Sequence, residues 1–357
     1  MSNFRICHFL VGLALCTAAC LAQAAFKDPL TTPAMPTARA AQAPLTAIVR
    51  AGSRLIAAGW RGVIVVSDDD GQTWRQASVP VSEDFTALSF PTPTHGWVTG
   101  NDGILLETND GGLTWTKRLD GNAAAAVMVD TYGAQASAKP ADAAVSAALK
   151  AANDYQAQAP ARPFLDVAFL DNRTGYLAGT YGLLFKTTDS GHSWKPLIDS
   201  AENPDGYNIY AIHADPEGVF LAGELGLVLR FDAASGRFVK VKTPYDGSFF
   251  LLAGNSSMLI AAGLRGHAFL SVDQGGSWVP VDFHGASPAT FSGATTLPDG
   301  RVALVTLAGQ LFVSRDQGRD FTLVPTSSPM RYSAVAPAGR NAVAVVGAQG
   351  VRIETIK

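Results

Sequence analysis

The chain has 357 residues, 47% of them hydrophobic and only 16% charged, with 35 glycines. That balance excludes disorder over most of the length and fits two ordinary domains or one large core crossed by many tight turns. With 27 Lys+Arg against 30 Asp+Glu the formal net charge is −3, a poor match to the basic faces that nucleic acid selects, so no nucleic-acid partner is expected.

The first 25 residues, "MSNFRICHFLVGLALCTAACLAQAA", carry Arg5, an apolar run from Phe9, and the small-x-small site Ala22-Gln23-Ala24. This pattern predicts a secretory signal peptide over 1–24, with an apolar core too short to span a bilayer, and hence a periplasmic mature chain. Lipidation at Cys20 is the alternative, but Thr17 stands where a lipobox carries an aliphatic residue. Cys7, Cys16 and Cys20 all lie in the signal, so the mature chain is expected to have no disulfide and no thiolate chemistry. Removing the signal takes away one base, leaving 26 Lys+Arg against 30 acids.

Beyond it one phrase recurs: "SDDDGQTW" at 67–74, "TNDGGLTW" at 108–115, "TTDSGHSW" at 187–194 and "SVDQGGSW" at 271–278, with a weaker copy from Ser314. Ser67 to Thr108 is 41 residues, Ser271 to Ser314 is 43, and Thr187 to Ser271 is 84, a double period whose midpoint holds the degenerate "VLRFDAASGRFVKV". Each period reads as three or four short strands separated by Gly and Asp turns, as in "FTALSFPTPTHGWVTGNDGILLETNDGGLTW". Such a repeat predicts an all-β β-propeller with one domain over 25–357. Setting aside an insertion between the second and third copies, the mature length fits seven blades. The last blade shows only three strands, "SAVAPAGRNAVAVVGAQGVRIETI", so the ring is predicted to close with an N-terminal strand from about 28–36.

The acids of the phrase look like ligands at first. An EF-hand-type loop is excluded in the first copy, because Val66 and Ala77 fall where the first and twelfth ligands belong. A phosphate loop would need Gly-Lys-Ser/Thr opening a helix, whereas a strand follows here. The structural reading accounts for every position. The carboxylates of Asp69, Asp110, Asp189, Asp273 and Asp316 close their own turns, and Gly71, Gly112, Gly191, Gly275 and Gly318 supply φ > 0. Trp74, Trp115, Trp194 and Trp278 open outer strands and wedge between blades, with Phe238 and Phe321 as smaller substitutes.

Gly-x-x-Gly turns between the second and third strands fall on the opposite face. Their middle residues include Trp60-Arg61, Asn101-Asp102, Thr180-Tyr181, Glu224-Leu225 and Leu264-Arg265. Turn geometry asks for no Trp, Tyr or Arg, and these types are enriched at binding hot spots. Trp60, Arg61, Asp102, Tyr181, Glu224 and Arg265 are therefore the candidate partner-binding face. The insertion, 120–162, should rise from this same face. Its alanine-rich run predicts a helix over about 141–156, with Val145, Leu149, Ala152 and Tyr155 on one stripe. That stripe either packs down as a lid or stays open to a partner helix; a mobile loop is the third reading.

The phrase Ser/Thr-x-Asp-x-Gly-x-Thr/Ser-Trp is the Asp-box. Together with copies such as "GNDGILLETNDGGLTW", "GTYGLLFKTTDSGHSW" and "GLRGHAFLSVDQGGSW" it resembles the photosystem II stability and assembly factor family and its bacterial relatives over about 45–355, outside the insertion. The resemblance implies a non-enzymatic seven-bladed propeller that assists a membrane protein complex by binding it or its periplasmic loops, as a monomer without a cofactor. An Asp-box glycosidase is the rival. A sialidase is disfavoured because no Arg-Ile-Pro occurs and Glu is confined to Glu83, Glu107, Glu202, Glu217, Glu224 and Glu354, but a carboxylate pair for other glycoside hydrolysis stays open. His95, His192, His213, His267 and His284 show no metal-ligand spacing, so no metal site and no catalytic residue is assigned.

Overall fold

The computed structural model describes residues 27–356; the expected signal peptide and its cleavage site lie outside the described residues. Seven antiparallel meanders form seven sheets, six of four strands and one of three. Blade 2 shows the pattern, with strands Phe85–Ser89, Gly96–Gly100, Leu105–Thr108 and Thr116–Leu119 running from the channel outward. The innermost strands pack side by side, each against the next and the seventh against the first. Every sheet is thus covered on both faces by its neighbours. That is why second strands such as Gly96–Gly100 and Val302–Thr306 are buried along their whole length and read as apolar runs rather than alternating ones.

Each inner strand carries a bulge at its second residue, and in three blades the bulged side chain bonds the next blade. The Thr46 hydroxyl donates to the Phe85 carbonyl at 2.6 Å, Thr86 to Phe164 at 2.8 Å, and Ser292 to Tyr332 at 2.8 Å. Blade 3 has Leu165 at this place, and Asp166 takes over, accepting the Ile212 N–H of blade 4 at 2.7 Å. These bonds satisfy backbone groups that the bulge frees, so they hold the ring together at its seams.

Ring closure corrects one expectation. No fourth strand comes from 28–36; the seventh sheet has three strands, Tyr332–Pro337, Ala342–Gly347 and Gly350–Thr355. The N-terminal stretch instead runs over blade 1. Ala34 N donates to Val79 O at 3.1 Å and Ser82 N to Pro29 O at 2.9 Å, and a short 3-10 turn, Ala40–Gln42, ends it. Pro29, Pro33 and Pro36 explain this, since a segment lacking three N–H donors cannot sustain a ladder. Apolar packing closes the ring: Leu45, Ile48, Leu55 and Val65 of blade 1 share one cluster with Ala336, Ala344 and Val346 of blade 7.

The Asp-box is a turn-closing device. In the second copy Asp110 Oδ1 accepts the Leu113 N–H at 2.9 Å and the Thr114 N–H at 3.0 Å, and Oδ2 accepts the Thr114 hydroxyl at 2.6 Å. The Thr108 hydroxyl donates to Asp110 at 2.8 Å and accepts the Gly112 N–H at 3.0 Å. Two successive residues take positive φ at each such turn, as at Ser190 (60°) and Gly191 (77°), a conformation glycine adopts without steric cost. The tryptophans wedge as expected: Trp115 lies among Ile56, Ile64 and Val66 of blade 1, and Trp194 meets Trp97 of blade 2 edge-on at 6.2 Å.

The insertion holds two helices, not one. Helix α1, Gly121–Ala138, starts from Asp120, whose side chain accepts the Ala123 N–H; helix α2, Ala143–Gln158, starts from Asp142 in the same way. The pair packs down on blades 2 and 3 in one cluster with Trp97, Leu105, Phe164 and Leu177. The stripe belongs to that contact: Val145, Ala152 and Tyr155 are buried and Leu149 is partly so. It is therefore neither an open partner-helix site nor a mobile loop.

Candidate functional site

The Gly-x-x-Gly turns are single 3-10 turns at one end of the channel, Trp60–Gly62, Asn101–Gly103, Thr180–Gly182 and Leu264–Gly266 among them. The opening glycine is needed for close approach: a Cβ at Gly100 would lie 2.2 Å from the Asp84 carbonyl oxygen. In five blades the third residue of the turn is left-handed although it is not glycine, with φ 55° at Arg61, 52° at Asp102, 55° at Tyr181, 49° at Leu225 and 56° at Arg265. For an L-residue this costs roughly 1–2 kcal/mol. The offset comes from the following blade. Asp84 Oδ1 accepts the Arg61 N–H at 2.8 Å, Asn208 Oδ1 that of Tyr181 at 2.7 Å, and Thr290 Oγ1 that of Arg265 at 3.1 Å.

The predicted residues separate into two groups. Trp60 is 51% and Tyr181 63% exposed, and Arg61 and Arg265 are exposed with no ion pair among the described residues. They sit on one face, on blades 1, 3 and 5. Glu224 instead latches its own blade, accepting from the Asn208 N–H at 2.9 Å and from the Tyr210 hydroxyl at 3.1 Å. Asp102 is half-buried where α1 begins, its carbonyl beside Gly121, and burial, then the charge of Asp28, raises its carboxyl above the ordinary range.

Two features go beyond the residues predicted from sequence, although the first includes Trp60 and Arg61. The N-terminal stretch and the first turn enclose an apolar hollow of about 420 Å³ lined by Met35, Ala43, Pro44, Trp60 and Val63, with Arg61 at its rim. Arg162, at the end of the insertion, is buried with its guanidinium between two tyrosines, 5.2 Å from the Tyr155 ring centre and 4.5 Å from that of Tyr181. Its one side-chain hydrogen bond goes to Gln158 at 3.3 Å, and its Nε has none. The signal that could have found it is positional. Arg162 stands two residues before an inner strand, as Glu83 does, and Glu83 is the other buried charge in these links.

Comparison with known proteins agrees with this architecture. The family model described as "Photosynthesis system II assembly factor YCF48" matches residues 66–132 and 149–246. The photosystem II assembly protein Ycf48 of Synechococcus sp. (strain JA-2-3B'a(2-13)) is 30% identical over 159 residues, 42% of this chain and 46% of that protein. The chain thus spans less than half the length of this curated relative. A solved structure of YCF48 bound to D1 peptide superposes with TM-score 0.60 at 16% identity, over 91% of this chain and 99% of that one. The GH74 enzyme of Niastella koreensis reaches TM-score 0.60 at 12% identity, over 88% of this chain and 52% of that one. At such identities the two structures speak for the fold alone.

Proposed function

We propose that this chain, which belongs to a photosystem II assembly factor-like family, is an exported, non-catalytic scaffold that binds a membrane protein or its exported segments during assembly. The observation that carries the reading is the display of Trp60, Arg61, Tyr181 and Arg265 on one face, three of them at left-handed positions that favour glycine. Aromatic and Arg side chains held on rigid turns lose little entropy on binding and suit a polypeptide ligand. A relative in complex with a peptide supports the same direction. Among the described residues no helix is long and apolar enough to cross a membrane, so the bilayer would be reached through the partner. The likeness to a glycoside hydrolase extends to fold only and favours no second reading.

The test is recovery from the solubilised inner membrane, with captured proteins identified by mass spectrometry. A Trp60→Ala/Arg61→Glu double variant and a Tyr181→Ala/Arg265→Glu double variant should each lose the specific partner while keeping the wild-type melting temperature. Undiminished recovery by both would refute the assignment of this face. Purified protein is expected to turn over neither aryl-glycosides nor polysaccharides, and turnover would refute the non-catalytic reading.

A further inference from the structure

The hollow beside Trp60 lies on the face of the displayed turns. Its volume is about 420 Å³, and of its seven lining residues only Thr37 and Arg61 are polar. Hydrogen bonds fix both walls. The Gln76 side chain spans Pro36, accepting the Thr37 N–H at 2.8 Å and donating to the Met35 carbonyl at 3.1 Å. On the other side the Trp60 N–H donates to the Pro44 carbonyl at 3.1 Å, and the Gly62 N–H to the Glu83 carbonyl at 2.7 Å. The Thr37 hydroxyl is already engaged, accepting the Arg39 N–H at 3.2 Å. The cavity is therefore preformed and its walls are apolar.

Water is left against that apolar surface. Met35 is 80% and Trp60 51% exposed, whereas Val63 belongs to the core cluster that joins blades 1 and 7. A stiff indole and a flexible thioether over an apolar base suit a large apolar side chain, whose entry buries surface on both partners. Arg61 adds a sign to the site. Asp84 holds its backbone N–H, but its guanidinium has no ion pair and no hydrogen-bond acceptor among the described residues. A carboxylate that arrives beside the apolar anchor meets it in a charge-assisted bond. A single carboxylate fits better than a layer of anionic headgroups, because Asp84 next to the turn repels a continuous negative surface.

We propose that this hollow seats a phenylalanine or leucine side chain of an extended polypeptide, with an adjoining aspartate or glutamate bonded to Arg61. This rests on the scaffold reading in taking the ligand of that face to be a polypeptide. Trp60 and Arg61 then act as a unit, the indole selecting for size and the guanidinium for charge.

The experiment needs no membrane partner. Purified protein carrying 13C at its methionine methyls is titrated with blocked Gly-Phe-Asp-Gly, Gly-Phe-Asn-Gly, Gly-Phe-Lys-Gly and Gly-Ala-Asp-Gly peptides at millimolar concentration. Met35 is the reporter, and the buried Met128, Met258 and Met330 are internal controls. The Phe-Asp peptide should shift Met35 saturably and leave the three controls in place. Phe-Asn should bind about threefold more weakly and Ala-Asp at least about tenfold, the sizes expected for an exposed ion pair and for a lost buried ring. Arg61→Glu should reverse the order so that Phe-Lys binds best, and Trp60→Ala should abolish the shift, both at the wild-type melting temperature. No Met35 shift with Phe-Asp, equal binding of Ala-Asp, an unreversed order in Arg61→Glu, or a Met35 response to anionic phospholipid vesicles instead would each overturn the proposal. A flat titration with capture still lost in the Tyr181→Ala/Arg265→Glu variant would remove the hollow and keep the scaffold; a positive titration with empty membrane capture would do the reverse.

Discussion

Two tyrosines under the helical pair make opposite predictions from similar burial. Tyr132 on α1 and Tyr155 on α2 are both fully buried. The Tyr132 hydroxyl donates to Asp199 Oδ1 at 3.1 Å and accepts the Ile198 N–H at 3.0 Å, tying α1 to the end of blade 3. The Tyr155 hydroxyl has no partner. Tyr132→Phe strands a backbone donor and weakens the anchoring of Asp199, which costs about 1–3 kcal/mol. Tyr155→Phe removes a hydroxyl that is desolvated without return, so stability stays level or rises by up to about 1 kcal/mol. Tyr155→Ala opens a cavity where a ring packs against Arg162, at a cost of about 3–5 kcal/mol. Equilibrium urea unfolding at constant m-value should therefore rank Tyr155→Phe at or above wild type, then Tyr132→Phe, then Tyr155→Ala. Equal losses from Tyr155→Phe and Tyr132→Phe would refute this division between an anchored hydroxyl and an idle one.

Acid should attack the Asp-boxes within a defined window. Hydrogen bonds from Thr73, Ser193 and Ser277 respectively, the side-chain bond first, hold Asp69, Asp189 and Asp273 at about 2, below the ordinary 3.8. Their contribution is complete above pH 4 and lost as pH falls toward 2, so melting temperature should drop across that interval. An Asp189→Asn variant should lose less over the same range; an identical acid profile would contradict the assignment. At the seams, Thr46→Val deletes the bond to the Phe85 carbonyl and should cost about 1–2 kcal/mol in urea unfolding, whereas no loss would show that these bonds do not hold the ring.

The blades are legible in the sequence because their marker is backbone geometry written as residue types. The Asp-box turn demands positive φ at fixed places, and Gly71, Gly112 and Gly191 recur where it does. The αL turns are legible for a similar reason, through their flanking glycines. What escapes a sequence reading depends on contacts distant along the chain. Helix α1 carries Gly121 and Gly133, poor helix formers, and is secured by Tyr132 against a segment more than sixty residues on. The N-terminal stretch reads as a strand because the seventh blade lacks one, but its prolines make that pairing untenable. Glu83 and Arg162 belong to residue types that are mostly exposed, and only the assembled links show them enclosed. Glu224 reads as free along the chain, and only the fold brings Asn208 and Tyr210 against its carboxylate.

The bonds from Asp84, Asn208 and Thr290 to the turns before them divide responsibility for recognition across the ring. The side chain a turn presents is chosen by its own blade, but its backbone is held by the blade that follows. Arg61 can be exchanged for another residue without touching its support, whereas a change at Asp84 alters how Arg61 is presented without changing its chemistry. Specificity and rigidity of the face are thus written in different repeats. A lineage could retune one while the other stayed in place, and a variant at a link residue far from any ligand could weaken binding through a neighbour it never resembles.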